Sequence, residues 1–453
     1  MPTVEATVEA HAARTWREAA ALYAHSRVLA MLFLGFAAGL PFLLVFATLT
    51  AWLTQAGVSR GAIGFFSWIG ITYSIKVFWA PVVDRLALPG LTRWLGRRRG
   101  WILLAQLGIA IGLIGMSQTD PATQLTQVAL FGLLVAFSSA TQDIAIDAWR
   151  IESAPPELQG AMAATYQMGY RIALLAAGAG ALFIAASYSW PAAYLAMAAL
   201  VGVGVATVLL VAEPARSTQV AAEREAAALL GLQTTSRAGW PRRFVTWFTA
   251  AVVMPFVDFF KRNGRHGLWV LLFIALFRLT DITMGVMANP FYLDIGFTLE
   301  QIASVAKVFG VLMTIVGAIL GGMIVARFGV VRTLVLGGLM VIGSNLLFAA
   351  LAHSTPNLWW LALVIGADNL AAGIAGSAFI AYLSGLTNIA YTATQYALFS
   401  SLMTLPGKFL GGFSGMVVES VGYPWFFLYT SALGIPALLL AIYFLRRTGA
   451  RGA

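Results

Sequence analysis

Asp143 and Asp147 stand four residues apart in Ser139-Ala140-Thr141-Gln142-Asp143-Ile144-Ala145-Ile146-Asp147-Ala148-Trp149. On a helix that spacing puts both carboxylates on one face. Ser139 shares the stripe and Gln142 sits beside it. Two carboxylates one turn apart resist joint ionisation. A carboxyl group poised to gain and lose a proton suits coupling to a proton gradient, and both acids are candidates for that role. Asp147 lies nearer the end of its apolar run, where solvation or a pair with Arg150 is an equally good reading.

Seven further charges interrupt apolar runs: Lys76, Arg171, Arg278, Asp281, Lys307, Asp368 and Lys408. A charge at the centre of a membrane helix costs roughly 2.5–3.5 kcal/mol on insertion scales, so each implies a use. Depth follows from a rise of about 1.5 Å per residue. Asp281 and Lys307 both fall roughly 20 Å in, Asp368 and Lys408 roughly 25 Å, and Lys76 and Asp143 roughly 10 Å. Three pairs are therefore expected: Asp281–Lys307, Asp368–Lys408 and Lys76–Asp143. A static salt bridge that orients helices accounts for each equally well. Together the buried groups carry one surplus positive charge, which points to an anionic substrate. Trp52, Trp68, Tyr73, Trp79, Tyr166, Tyr170 and Tyr382 are candidates to stack on sugar rings, although aromatics in such runs more often face lipid or core.

The elements that must position these residues are long apolar helices. Of 453 residues, 60% are hydrophobic and only 10% charged, against roughly 25% charged in soluble domains. Mean hydropathy is +0.83. Runs near twenty residues, the length that spans a bilayer, fall at 28–54, 61–83, 101–117, 125–149, 159–187, 190–212, 268–293, 300–326, 331–352, 358–385, 392–417 and 422–445. Cysteine is absent, which excludes disulfides, thiolate metal sites and cysteine nucleophiles. The polar start, 1–27, leads into an apolar run too long for a signal peptide.

Twenty-two lysines and arginines fall on one side of this layout, among them Arg97, Arg98 and Arg99; the opposite loops offer only Arg60. Positive loops stay in the cytoplasm, so both termini are expected there. The net charge of +10 is then an orientation signal and not a nucleic-acid surface. The stretch 244–260 is apolar but broken by Pro255 and Asp258. We read it as a helix lying in the membrane interface.

Tyr188-Ser189-Trp190 with Tyr194 opens one run, and Tyr423-Pro424-Trp425 with Tyr429 opens the run six places later. This weak repeat divides the chain into a tail (1–27), a six-helix bundle (28–212), a linker (213–267), a second bundle (268–446) and a short tail (447–453). P-loop, HExxH and Gly-x-Ser-x-Gly patterns are all missing, and the four histidines lie in tails or loops. ATP-driven and histidine-based hydrolytic chemistry are disfavoured, and no cofactor or metal is expected.

Several stretches resemble the muropeptide permease (AmpG) family of the major facilitator superfamily. They are Lys76-Val77-Phe78-Trp79-Ala80-Pro81 with Asp84-Arg85, the Gln142–Trp149 segment, Gly169-Tyr170-Arg171, Arg278-Leu279-Thr280-Asp281, Lys307, Asp368-Asn369-Leu370, and Ala393-Thr394-Gln395-Tyr396. The resemblance covers about Leu29 to Leu445. It implies an all-α membrane fold of two six-helix bundles with alternating access. It also implies proton-driven import of N-acetylglucosaminyl-anhydro-N-acetylmuramyl peptides across a bacterial inner membrane by a monomer. Gln142 and Asp143 would face the cavity, with Tyr170, Trp79 and Asn369 as further substrate contacts. Charge complementarity assigns Arg171 and Arg278 to substrate carboxylates. Known members continue past helix 12, whereas this chain stops at Ala453. Relatives carry other anions, including a coenzyme A ester and siderophores.

Overall fold

The computed structural model describes residues 15–58, 66–214, 249 and 253–449. Within these it describes every side chain except those of Ser67, Trp68, Asn289, Leu299, Glu300, Ala303, Lys307, Thr448 and Gly449. Expectations that fall on the first tail, on Arg60 and on most of the linker lie outside the described residues.

Ten described helices are long and apolar enough to cross a membrane. In chain order they are α1 (Ser26–Gln55), α3 (Arg97–Ser117), α4 (Leu125–Ser153), α5 (Pro156–Ser187), α6 (Trp190–Leu210), α7 (His266–Ala288), α8 (Ser304–Phe328), α9 (Val330–Leu351), α10 (Leu358–Leu386) and α12 (Ser414–Arg447). Two more elements occupy the remaining expected spans. The first, α2, runs in short pieces, Ser67–Gly70, Ile71–Ile75, Lys76–Phe78 and Ala80–Arg85. The second, α11, is Thr392–Gly411. It is less apolar because Thr392, Thr394, Gln395, Ser400, Ser401 and Lys408 interrupt it. The first helix of the α12 stretch stops where Gly422 takes φ +80, a conformation open to glycine without a Cβ clash.

Each half packs around its own apolar core. Close approach is obtained with glycine. A Cβ on Gly35 would overlap the Tyr166 carbonyl, and one on Gly169 the Leu32 carbonyl, so α1 and α5 touch backbone to backbone. Small residues make such contacts between membrane helices feasible. Gly317 on Leu370 and Gly373 on Thr314 do the same for α8 and α10.

Both described termini lie at the end of the bundle where the arginines gather, called here the basic end. There the cores run together across the halves: Ala393 and Ala397 of α11 join the core built by α1–α6, and Ile151 of α4 joins that of α7–α12. Tyr23 donates to the Ile319 carbonyl of α8 at 2.8 Å. Helices α5 and α8 each turn irregular towards the opposite end, with π-helical turns at Ala176–Gly180 and Ala303–Phe309. π-Bulges gather at functional sites and interrupt regular helix. The basic end is therefore the clasped one.

Between the halves, Met254–Asn263 forms a separate amphipathic helix. It buries Met254, Pro255 and Phe259 and sets Phe259 edge-on to Phe399 of α11, with ring centroids 5.4 Å apart.

Candidate functional site

Asp143 lies on α4 about 15 Å from the basic end, at 1.5 Å per residue from Ser153. Its Oδ2 stands 4.0 Å from Lys76 Nζ, so the expected pair of α2 and α4 is brought together. Its Oδ1 is buried and makes no hydrogen bond; the same is true of Tyr73 Oη, Ser139 Oγ and Gln142 Oε1. An unsatisfied buried polar atom costs on the order of 1–3 kcal/mol, and a cluster of them calls for water, an ion or a ligand. The amide of Gln142 is anchored by its Nε2, which donates to the Ala37 carbonyl of α1 at 2.9 Å. Its free oxygen is thereby held in place.

An aromatic wall stands beside these atoms. Phe42 contacts Phe46, Tyr73 and Tyr170, and Tyr170 contacts Tyr166. Phe42 and Phe46 escaped the sequence reading because phenylalanine in an apolar run carries no signal of its own.

Arg171 on α5 and Arg278 on α7 belong to different halves, yet they are close enough to repel each other electrostatically. Arg278 Nε pairs with Asp281 Oδ2 at 3.3 Å. Arg171 makes no hydrogen bond or ion pair among the described residues. A guanidinium group presents a fork that matches a carboxylate.

One expected pair is not formed, and two expected substrate contacts have other partners. Asp368 and Lys408 do not pair. Asp368 accepts a hydrogen bond from Ser344 of α9 at 3.1 Å, while Lys408 donates to Ser74 of α2 at 2.8 Å. Matching depth says nothing about azimuth: one side chain points into its own bundle, the other across to the opposite half. Trp79 donates to Thr141 Oγ1 at 3.1 Å and packs on Phe137, which is half-exposed. Thr141 precedes Asp143 by two residues, about 200° around the helix, so the Trp79 ring lies off the Asp143 face. Asn369 spends its amide locally, accepting from Thr314 Oγ1 at 2.8 Å and donating to the Ile365 carbonyl at 2.9 Å.

The proposed partner of Asp281, Lys307, has a side chain outside the described residues. Asp281 instead meets Arg278 one turn away and lines a small cavity with Thr280. Asp147 pairs with Arg150 at 3.1 Å. Trp52 stacks with Trp190, and Tyr382 packs against Phe273 and Phe379, all within the cores.

A clasp at the basic end was not read from the sequence. Arg98 NH2 bonds Asp84 Oδ1 at 2.6 Å and Glu152 Oε1 at 2.5 Å. The other oxygen of Asp84 accepts from the backbone N and Oγ1 of Thr394, at 3.2 and 3.1 Å. Glu213 accepts from the backbone N of Arg98 and Arg99, at 2.8 and 3.1 Å. Beside it Arg150 donates to Ser384 of α10 at 2.6 Å and lies over the Tyr396 ring of α11. A cavity of about 820 Å³ adjoins this clasp, between Glu152, Glu213, Arg327 and Thr387. Asp84–Arg85 was visible as a motif; its partner Thr394 lies 310 residues away and could not be.

Asp84→Asn should open this end. The cysteine-free chain allows spin labels at Arg93→Cys and Arg332→Cys, exposed positions on the two halves. The long-distance population between them should grow several-fold in the variant. An unchanged distribution would mean that Asp84 does not hold the halves together.

The chain matches the Major Facilitator Superfamily over residues 31–280. It is 34% identical over 419 residues to "Putative transporter AmpG 4" of Rickettsia conorii, covering 92% of this chain and 96% of the relative. It is 34% identical over 424 residues to the "Anhydromuropeptide permease" of Escherichia coli K12, covering 93% and 80%. The fold resembles the crystal structure of the E. coli fucose:proton symporter FucP with a TM-score of 0.65 at 13% identity, over 95% of this chain and 99% of that one. These similarities run the length of the molecule and join the helical architecture described above. The protein is a multi-pass membrane transporter and not an enzyme, and it belongs to the anhydromuropeptide permease (AmpG) family of the Major Facilitator Superfamily.

Proposed function

We propose that this protein imports anhydromuropeptides, together with protons, from periplasm to cytoplasm by alternating access of the bundles 28–212 and 268–446. The observation that carries the reading is the Lys76–Asp143 pair with the buried, unbonded oxygens of Asp143 and Gln142 beside the Phe42, Tyr73 and Tyr170 rings. A muropeptide brings carboxylates and sugar rings; the arginines suit the first, and Phe42, Tyr73, Tyr166 and Tyr170 suit the second. The similarity to the E. coli permease supports the same substrate class. Placing the basic end, with both termini, in the cytoplasm of a bacterial inner membrane follows from the charge of its loops.

With the basic end clasped, substrate enters from the opposite side. Its carboxylate bridges Arg171 and Arg278 and draws the halves together above the site. Asp143 takes the proton. Neutralising it dissolves the Lys76–Asp143 pair and releases α2 from α4 at the site. Release of the Asp84 and Arg150 contacts then opens the basic end.

Uptake of labelled anhydro-disaccharide into proteoliposomes tests the reading. Accumulation should require an inward proton gradient and collapse with it. Uptake indifferent to the gradient would end the coupling claim. Absence of uptake, with accumulation of another anion such as a coenzyme A ester, would reassign the substrate.

A further inference from the structure

The helix Met254–Asn263 stands outside the transport site, and Asp258 and Arg262 tie it to Gln395 of α11 and to the end of α10. Asp258 Oδ2 accepts from Arg262 Nε and from Gln395 Nε2, each at 2.9 Å, and its Oδ1 accepts from Asn388 Nδ2 at 2.9 Å. Gln395 Nε2 also donates to the Pro255 carbonyl at 2.8 Å. Gln395 Oε1 in turn accepts from the backbone of Asn388 at 2.8 Å and from Arg262 NH2 at 3.2 Å. Gln395 is therefore saturated, and its position is tied to this helix. The residue before it, Thr394, is the one that clasps Asp84 of the other half. Two adjacent residues of α11 thus hold the amphipathic helix and the gate.

The outer face of the same helix carries Val253, Phe256 and Phe260, exposed by 41%, 40% and 37%. It continues into the exposed Leu268 and Trp269 on the first turns of α7, which belong to the membrane-facing wall. Lys261 and Arg265 are exposed along its last turn and the loop that follows. Aromatic and aliphatic side chains beside lysine and arginine match the boundary between acyl chains and anionic headgroups. Each basic residue near an anionic leaflet contributes about 1 kcal/mol of attraction.

We propose that Met254–Asn263 is a surface-anchored lever: an anionic phospholipid leaflet holds it, and it holds the first turn of α11 in the position from which Thr394 clasps Asp84. The charge of the leaflet then biases the equilibrium between closed and open basic ends. A segment whose position differs between two states shifts their populations only by its differential binding. Attraction to the leaflet sets the expected size, about a fivefold change in the closed-to-open ratio for each basic residue that reaches the headgroups.

The test uses the full chain labelled at Arg93→Cys and Arg332→Cys and placed in phosphatidylcholine vesicles with or without phosphatidylglycerol. Phosphatidylglycerol should raise the ratio of short, closed to long, open distances at least threefold. In Lys261→Gln/Arg265→Gln that response should vanish. In Asp258→Asn the closed share should fall in both lipids, because the helix no longer grips Gln395. Identical distributions in the two lipids for the unsubstituted helix would overturn the proposal without need of any variant. So would a lipid response that survives Lys261→Gln/Arg265→Gln, or an Asp258→Asn protein that closes as before.

Discussion

Asp143→Asn should abolish uphill accumulation and leave exchange intact. The carboxyl of Asp143 pairs with a single cation, Lys76, at 4.0 Å, and its second oxygen is buried without a partner. Asparagine preserves the shape and removes the proton; it also leaves Lys76 without its carboxylate, so a lower melting temperature should accompany the loss. A pH difference of one unit supplies about 1.4 kcal/mol per proton, which sustains roughly a tenfold concentration ratio of substrate. In the variant that ratio should fall to one. Counterflow of labelled against unlabelled substrate needs no net proton movement and should continue at a comparable rate. Counterflow should also lose its dependence on pH. A variant that still concentrates substrate tenfold would remove Asp143 from the coupling step. The Asp147 variant provides contrast: Asp147 is committed to Arg150, so Asp147→Asn should loosen the clasp instead of uncoupling the gradient.

Arg171→Gln should weaken substrate binding by about 10- to 150-fold, since a charge-assisted hydrogen bond contributes roughly 1.5–3 kcal/mol. It should do so without loss of stability, because Arg171 leaves no ion-pair partner behind among the described residues. Arg278→Gln should weaken binding similarly but also destabilise the protein. It strands Asp281, whose only described ion-pair partner is Arg278, and an uncompensated buried charge costs on the order of 3–5 kcal/mol. Substrate protection against thermal unfolding in detergent, together with the unliganded melting temperature, separates the two effects. Equal melting temperatures for both variants would contradict the asymmetry. Unchanged substrate affinity in both would remove the arginine pair from the binding site. Unlike Asp143→Asn, both substitutions should depress counterflow along with accumulation.

Composition and periodicity were sufficient for the membrane class and for ten of the expected spans. Those properties depend on mean hydropathy and run length, which neighbours in sequence carry by themselves. The run at Thr392–Gly411 was legible as a span although its polar residues keep it from standing out by hydropathy. In the structure those residues include Thr394 and Gln395, which bond to the other half and to the surface helix. The candidate charges were legible too, because an ionised side chain in an apolar run is conspicuous wherever it points.

What the sequence could not supply was direction. A rise per residue fixes the height of Asp368 and Lys408 but leaves their azimuth free, and the packed bundle turns one towards Ser344 and the other towards Ser74. The same freedom hid the bond from Lys408 to Ser74, which joins helices from separate halves. The clasp of Asp84 on Thr394 and the lever on Gln395 likewise depend on contacts across hundreds of residues. Hydrophobicity is a one-dimensional property, so the sequence alone determined that charges enter the membrane. Which charges meet is set by helix rotation and by the closure of two bundles, and only the tertiary structure decides it.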